Sequence, residues 1–263
     1  DELERLWTSP TDTPAYRKGQ VSSQRAGVAR RAGDVASAAA VSVADADDRS
    51  RAIGLLVAQG ISAIAGKMAE VETELGRIDA VAGDGDHGRG MVKGTTAASD
   101  AARAASAQGG GTAAVLTSAG EAWAAKAGGT SGVLWGAALA AAARRLGDHG
   151  TPDDRTVAEA LRAGYDALVE LGGAKRGDKT MLDALGPFVE SVEAAVDDGT
   201  DWRTAWLGSV EVAQKAAAET ADLRPKIGRA RPLAERSVGT PDAGATSLAM
   251  CVRTVAELIE EKK

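Results

Sequence analysis

Cysteine is almost missing from this 263-residue sequence: Cys251 stands alone. No internal disulfide can form, and the composition fits a reducing compartment. Aromatic residues make up only 3% of the chain (five Trp, two Tyr, one Phe). A β-sandwich would draw on β-branched and aromatic side chains, so that class is set aside. No uninterrupted apolar run approaches the ~20 residues that span a bilayer. No signal peptide pattern is visible either, so no membrane partner is expected and the cytoplasm is the expected location. A positive charge excess is also missing. Lys and Arg number 31 against 37 Asp and Glu, giving a net charge of −6 and a pI near 5.1. That balance offers no electrostatic footprint for nucleic acid. What is abundant is alanine together with 32 glycines, in a chain 44% hydrophobic and 26% charged. Such a composition suits helices that touch through small side chains. The length allows one large domain with an appendage, or two small domains. Because it begins at Asp1 and not at methionine, the sequence reads as part of something longer.

Residues 1–50 differ from the rest. Pro10 and Pro14 break any helix begun over Asp1–Leu6, since proline lacks the amide donor and restrains its predecessor. From 21 to 50 the chain is rich in Ala, Ser, Arg and Asp without a large apolar face, and reads as a flexible linker. The body spans 51–263. Ile53, Val57, Ile61, Ile64, Met68, Val71 and Leu75 recur at steps of three or four, which predicts one long helix. Further helices are expected at roughly 88–107, 112–127 and 132–147. Others are expected around Val157–Leu168, from about Lys179 to Val192, from Trp202 to about Leu223, and through Leu248–Ile259. No useful alternation of strand type lies between them. The expected class is all-α, with about eight helices and glycine-rich connections.

One connection carries most of the chemistry. Asp79, Asp84, Asp86 and His87 fall within nine residues, with Gly83 and Gly85 on either side of Asp84. Crowded carboxylates repel unless a multivalent cation neutralises them, and glycine lets the backbone come close to a ligand. Magnesium prefers a few carboxylates plus phosphate oxygens to an all-protein cage. A calcium EF-hand loop starting at Asp84 would need glutamate at its twelfth position, which is Thr95. The competing explanation is that Asp84 and Asp86 only cap the helix that follows. His87 abuts the carboxylates and a helix start, where contact with bound phosphate is expected. His149, in Gly147-Asp148-His149-Gly150, is assigned no role.

Three more connections stand out. Gly128-Gly129-Thr130-Ser131-Gly132 precedes an apolar helix, and glycines with hydroxyls at a helix N-terminus offer amides and a positive dipole end to phosphate. It is neither a Walker A loop nor a Rossmann fingerprint. In the stretch Gly172 to Asp183, Asp178 is a candidate helix cap, and Met181 offers a soft apolar surface that would pack on a purine. In the stretch Gly228 to Ser247, Arg229 would pair with phosphate in bidentate fashion and Asp242 would cap the last helix. Each loop alone is equally well explained as helix punctuation.

Taken together, in this order, the four loops resemble the nucleotide-binding L domain of the dihydroxyacetone kinases. The matching pieces are Gly83-Asp84-Gly85-Asp86-His87-Gly88, Gly128 to Gly132, Gly177-Asp178-Lys179-Thr180-Met181, and Gly228-Arg229-Ala230 with Glu235 to Ser247. The opening stretch Leu6 to Gly19 resembles the tail of the family's ketose-binding K domain, which places that tail in residues 1–20. The resemblance implies an antiparallel barrel of about eight helices holding ATP or ADP at one end. Asp79, Asp84 and Asp86 would bind two Mg²⁺ ions and carry the catalytic charge. His87, Gly88, Arg89, Gly90, Thr130 and Ser131 would line the phosphate and ribose path. Gly172 and Met181 would flank adenine, with Arg229, Asp242, Ala243 and Gly244 completing the pocket. Gly90 stands where the family often has asparagine, and Ala243 where proline is common.

The implied reaction moves the γ-phosphoryl of Mg–ATP to a primary hydroxyl of a short ketose such as dihydroxyacetone or a tetrulose, the K domain being the partner that holds the ketose. That chemistry asks for positioning and charge neutralisation more than for covalent work. One alternative is an L subunit whose bound ADP is rephosphorylated by a phosphotransferase-system phosphoprotein. Another is a non-catalytic helical interaction module.

Overall fold

Asp47 starts the helical body: its Oδ1 accepts the Ser50 amide at 2.8 Å, capping helix α1 (Asp48–Glu70). In this computed structural model the described residues are 12–13, 16–17 and 45–262. Asp12–Thr13 (β1) pairs antiparallel with Tyr16–Arg17 (β2) in a separate N-terminal unit. The tail expected in 1–20 and the linker expected in 21–50 fall mostly outside the described residues.

The single helix expected from Ile53 to Leu75 is two helices. Helix α1 ends at Glu70, and α2 runs from Glu72 to Asp79. Val71, at φ −101° and ψ 9°, bends the chain between them. The bend lays α2 against the start of α3 (His87–Ala107). Then come α4 (Thr112–Ala127), α5 (Gly129–Leu146), α6 (Asp154–Gly172), α7 (Leu182–Asp197) and α8 (Trp202–Glu219). Two 3₁₀ turns, Thr220–Asp222 and Arg231–Leu233, and a one-turn α9 (Ala234–Ser237) lead to α10 (Ala243–Glu261). From α3 to α8 each helix packs on its successor, and α10 closes the ring by packing on both α8 and α1. The all-α expectation holds for the helical body.

Small residues set the spacing. A Cβ on Gly120 of α4 would lie 3.0 Å from the Gly136 carbonyl oxygen of α5, and one on Gly136 would lie 2.7 Å from that of Gly120. Two apolar clusters fill the interior. One gathers Met68, Leu75, Val115 and Trp123, and also takes in buried Cys251, whose thiol burial pushes up to about 12. The other gathers Phe188, Val189 and Val192 with residues of α6, α8 and α10. Trp123 stacks on Trp135 at 4.7 Å between centroids, and Trp135 packs against both clusters.

Helix α1 qualifies one expectation. By length and composition it is apolar enough to cross a bilayer, with an 18-residue window of mean hydropathy 1.5. Its apolar character serves the core in part, since Ala58, Ile61 and Met68 are buried, while Leu55 and Leu56 are exposed.

The two ends of the ring differ. At the end where α3 stops and α4 begins, Asp148 Oδ1 accepts the Ala113 and Ala114 amides at 2.8 and 3.1 Å, and Asp47 Oδ2 accepts the Gly150 amide. Side chains therefore satisfy amides that helix starts leave free. The other end, where α4 stops and α3 and α5 begin, is open.

Candidate nucleotide and metal site

All four chemistry-bearing loops meet at that open end, around a cleft of about 740 Å³. The α2–α3 connection forms its acidic floor. Asp79, Asp84 and Asp86 each place a carboxylate oxygen within 4.8 Å of the others. Asp79 closes α2, and its Oδ2 accepts the His87 amide at 3.3 Å, tying α2 to the first turn of α3. A Cβ on Gly83 would lie 2.3 Å from Asp79 Oδ1, so glycine is required for the loop to fold over that carboxylate. Capping does not explain the other two. Asp86 occupies the N-cap position of α3 without a capping hydrogen bond, and Asp84 caps nothing. Both remain open to solvent, at 53% and 45% exposure for Asp84 and Asp86.

Arg229 reaches these carboxylates from the far side of the cleft. Its Nη1 donates to Asp84 Oδ2 and, at 3.3 Å, to Asp86 Oδ2. Asp86 first, then Asp84, hold the guanidinium above its ordinary pKa. Asp84 is held low: desolvation pushes it up, but the hydrogen bond with Asp86 and the Arg229 charge prevail. A Cβ on Gly129 would lie 3.6 Å from Arg229 Nη2, so the same guanidinium borders the glycine loop. There Gly128 and Gly129 both have positive φ, and α5 begins without a side-chain cap, leaving its first amides and the exposed Thr130 beside the carboxylates. Such a helix start is suited to an anion.

His87 is placed otherwise than as a free base. Its Nε2 sits 2.9 Å from Ser247 Oγ, whose hydroxyl reaches the Gly244 carbonyl at 3.1 Å. Desolvation lowers its pKa, against the opposing pull of Asp79 and Asp86. It lines the cleft while joining the starts of α3 and α10.

Gly88 is buried between the two cleft-lining residues His87 and Arg89, and a Cβ there would lie 2.0 Å from the Glu72 carbonyl oxygen of α2. A loop glycine is the same letter whether it admits a ligand or a neighbouring helix. The other expected residues all border the cleft: Arg89 and Gly90 on α3, Thr130 and Ser131 on α5, Gly172 on α6, then Met181, Asp242, Ala243 and Gly244. Met181 is 8% exposed and lies beside Gly244, whose added Cβ would stand 3.6 Å from that of Met181. Asp242 caps α10 as expected, its Oδ2 accepting the Ala245 amide at 2.7 Å. Its carboxyl lies in the crowded floor of the cleft, where desolvation raises its pKa to about 6.

Asp178 requires a correction. It caps no helix; its Oδ2 accepts the Lys175 amide at 3.0 Å, and Asp183 instead holds the turn through the Gly177 and Thr180 amides. Sequence reasoning also missed Lys179, Ser247, Lys93 and Trp123, which border or brace the cleft. Lys179 and Ser247 lay within the quoted loops, which offered a signal; Lys93 and Trp123 lay on helices outside them.

This is a helical domain whose ring opens onto three carboxylates, an arginine and an uncapped helix start. The family model of the DAK2 domain matches residues 81–257. The chain belongs to that family, the L domain of the dihydroxyacetone kinases. It is 58% identical over 261 residues to a D-erythrulose kinase of Mycolicibacterium smegmatis, a match that takes in 98% of this chain and 45% of that protein. To an L-erythrulose kinase of Pectobacterium atrosepticum it is 46% identical, over 98% of this chain and 43% of the other. The chain thus spans less than half the length of these relatives. Among solved structures it resembles the dihydroxyacetone kinase of C. freundii in complex with AMP-PNP and Mg²⁺, with a TM-score of 0.59 and 28% identity over 77% of this chain and 34% of that one.

Proposed function

We propose that this chain is the nucleotide-binding part of an ATP-dependent ketose kinase that phosphorylates a primary hydroxyl of a four-carbon ketose. The observation that carries this reading is the convergence of Asp79, Asp84 and Asp86 within 4.8 Å, opposite Arg229 and beside the free start of α5. The donor set fits magnesium: hard oxygens only, few in number, with room for phosphate oxygens to complete the shell. Asp79, Asp84 and Asp86 would hold two ions, and bound Mg–ATP would supply an activated phosphoryl group whose charge the metal neutralises. Arg229 and the α5 amides would orient the phosphates. Met181, Gly172 and Gly244 would form the slot for adenine, and Ala243 its edge.

The tetrulose assignment is supported by two relatives whose names specify erythrulose. Their match runs through 98% of the chain, which also supports reading residues 1–20 as the end of a preceding K-type domain and 21–50 as a linker. That K domain would be the partner that presents the ketose. The lone buried Cys251 suits a reducing compartment, and the cytoplasm is the location proposed.

The test is calorimetric titration of ADP and ATP into the chain, with magnesium and then with excess chelator. Magnesium-dependent binding is expected. Folded protein that binds neither nucleotide would overturn the reading and favour an interaction module. ADP that stays bound through purification and does not exchange for ATP would favour the phosphoprotein-recharged subunit instead.

A further inference from the structure

Lys179 has the only positive φ (63°) found at a non-glycine position among the described residues. L-residues adopt that conformation only against a steric cost, because Cβ crowds the following carbonyl oxygen. Its side chain is also buried, at 4% exposure, and desolvation lowers the pKa of its ammonium against the opposing charges of Asp242 and Asp222. No carboxylate pairs with it directly among the described residues. Instead Nζ donates to two backbone carbonyls, Leu223 O at 3.1 Å and Ser237 O at 2.7 Å. A strained backbone and a buried cation without a counter-ion persist only where surrounding structure imposes them.

Those two carbonyls bracket the segment 223–237, which carries Arg229. One ammonium therefore clasps both ends of the arginine loop. The same turn grips the loop once more, since the Lys226 amide donates to Asp178 O at 3.2 Å and Lys226 Nζ lies 3.7 Å from Asp178 Oδ1. The loop is also tied by the Arg224–Glu235 ion pair between its ends and by Ile227 against the core, but its tip is bare. Nothing lies within 4 Å of a Cβ built on Gly228, and the Arg229 side chain is 59% exposed. The guanidinium reaches Asp84 and Asp86 from a bare loop tip whose backbone is anchored at the loop's ends.

We propose that Lys179 is a positioning residue for the phosphate site: it holds the 223–237 loop closed so that Arg229 stands over the Asp84–Asp86 pair. Lys179 touches neither the carboxylates nor Arg229 and acts only through the loop. The inference rests on the reading of the cleft as a Mg–nucleotide site, and one arm of its test does not depend on that reading.

The first arm measures Mg–ADP affinity by calorimetry for the wild type, Lys179→Met, Arg229→Ala and the double variant. Each single change is expected to weaken binding about 10-fold, or about 1.4 kcal/mol. The double variant is expected to match Arg229→Ala within about 2-fold, because contacting or serially linked residues are non-additive. Additive losses would overturn the proposal, since a general loosening of the adenine wall would not depend on Arg229. The second arm is hydrogen exchange in nucleotide-free protein. Lys179→Met is expected to speed amide exchange in 224–236 about 10-fold while α7 is unchanged; equal exchange in that loop, or a matching rise in α7, would overturn it. If Lys179→Met does not fold, Lys179→Gln, which keeps a shorter amide donor, undergoes both arms. Failure of the wild type to bind Mg–ADP would remove the functional reading, and the exchange arm alone would then decide the role of Lys179.

Discussion

Arg229 and Asp84 stand 145 positions apart in the sequence and meet across the mouth of the cleft, with Asp86 sharing the same guanidinium nitrogen at 3.3 Å. The arginine thereby supplies positive charge at the place where the carboxylates would bind a cation. A cation bound by these carboxylates would meet the guanidinium charge at close range.

Arg229→Ala is accordingly expected to have opposite effects on two ligands. In nucleotide-free protein it should tighten Mn²⁺ binding, read by electron paramagnetic resonance, because a competing cation is gone. With nucleotide present it should weaken Mg–ADP by about 10-fold, the loss of a charge-assisted pair to phosphate. Unchanged Mn²⁺ affinity would show that the guanidinium does not compete.

Asp84→Asn and Asp86→Asn together should abolish the magnesium dependence of ADP binding. The affinity loss should exceed the 10–100-fold typical of residues that only support a ligand, because on the proposed reading these side chains would ligate directly. Calorimetry with and without chelator measures both quantities. Retained magnesium-dependent binding would assign the metal to other groups.

Gly88→Ala tests the packing of that glycine on α2. A methyl group 2.0 Å from the Glu72 carbonyl oxygen has nowhere to go, since the obstacle is backbone. The variant should lose about 2–4 kcal/mol in denaturant unfolding, in the range of overpacked cores and strained backbones. A stability within about 0.5 kcal/mol of wild type would place Gly88 at a free surface.

Asp242 supplies a pH signature. Its folded pKa, raised to about 6, lies above the unfolded value of 3.8. The native state therefore binds the proton more tightly, and this group's contribution to stability falls as pH rises from about 4 to about 6. Asp242→Asn keeps an oxygen for the Ala245 amide and removes the ionisation. It should be stabilising relative to wild type above pH 6, on the order of 1–3 kcal/mol, with the gain fading below pH 4. Asp47, Asp153 and Asp201 cap helices and have lowered pKa values, so their contribution is lost on acidification, in the opposite direction. Chemical denaturation of both proteins from pH 3.5 to 8 separates the two; a pH-independent difference would contradict the assignment.

The helices were legible because their causes are local. The outlines read from the sequence put α3 and α4 within a residue of their ends, and α7 and α10 within about a turn and a half. The break at Val71 was not, because one residue at ψ 9° hardly disturbs the phase of a hydrophobic stripe that resumes at Leu75. The acidic loop was legible for a similar reason: its three carboxylates and the tight glycine turn lie within eight residues. The packing of Gly88 on α2 was not legible because a missing Cβ serves a ligand and a neighbouring helix alike. Asp178 was misplaced because an aspartate in a turn caps whichever amide the chain folds towards, and here that is Lys175 rather than α7.

By itself, then, the sequence determined the all-helical body, the order of its four chemistry-bearing loops and the carboxylates that any cation would meet. Propensity, periodicity and turn chemistry act across a few residues and are written in the chain. Closure of the ring by α10, the contact of His87 with Ser247 across 160 positions, and the clasp of Lys179 on both ends of the arginine loop were decided only by tertiary structure. Each depends on which faces packing brings together, and local sequence carries no record of that choice.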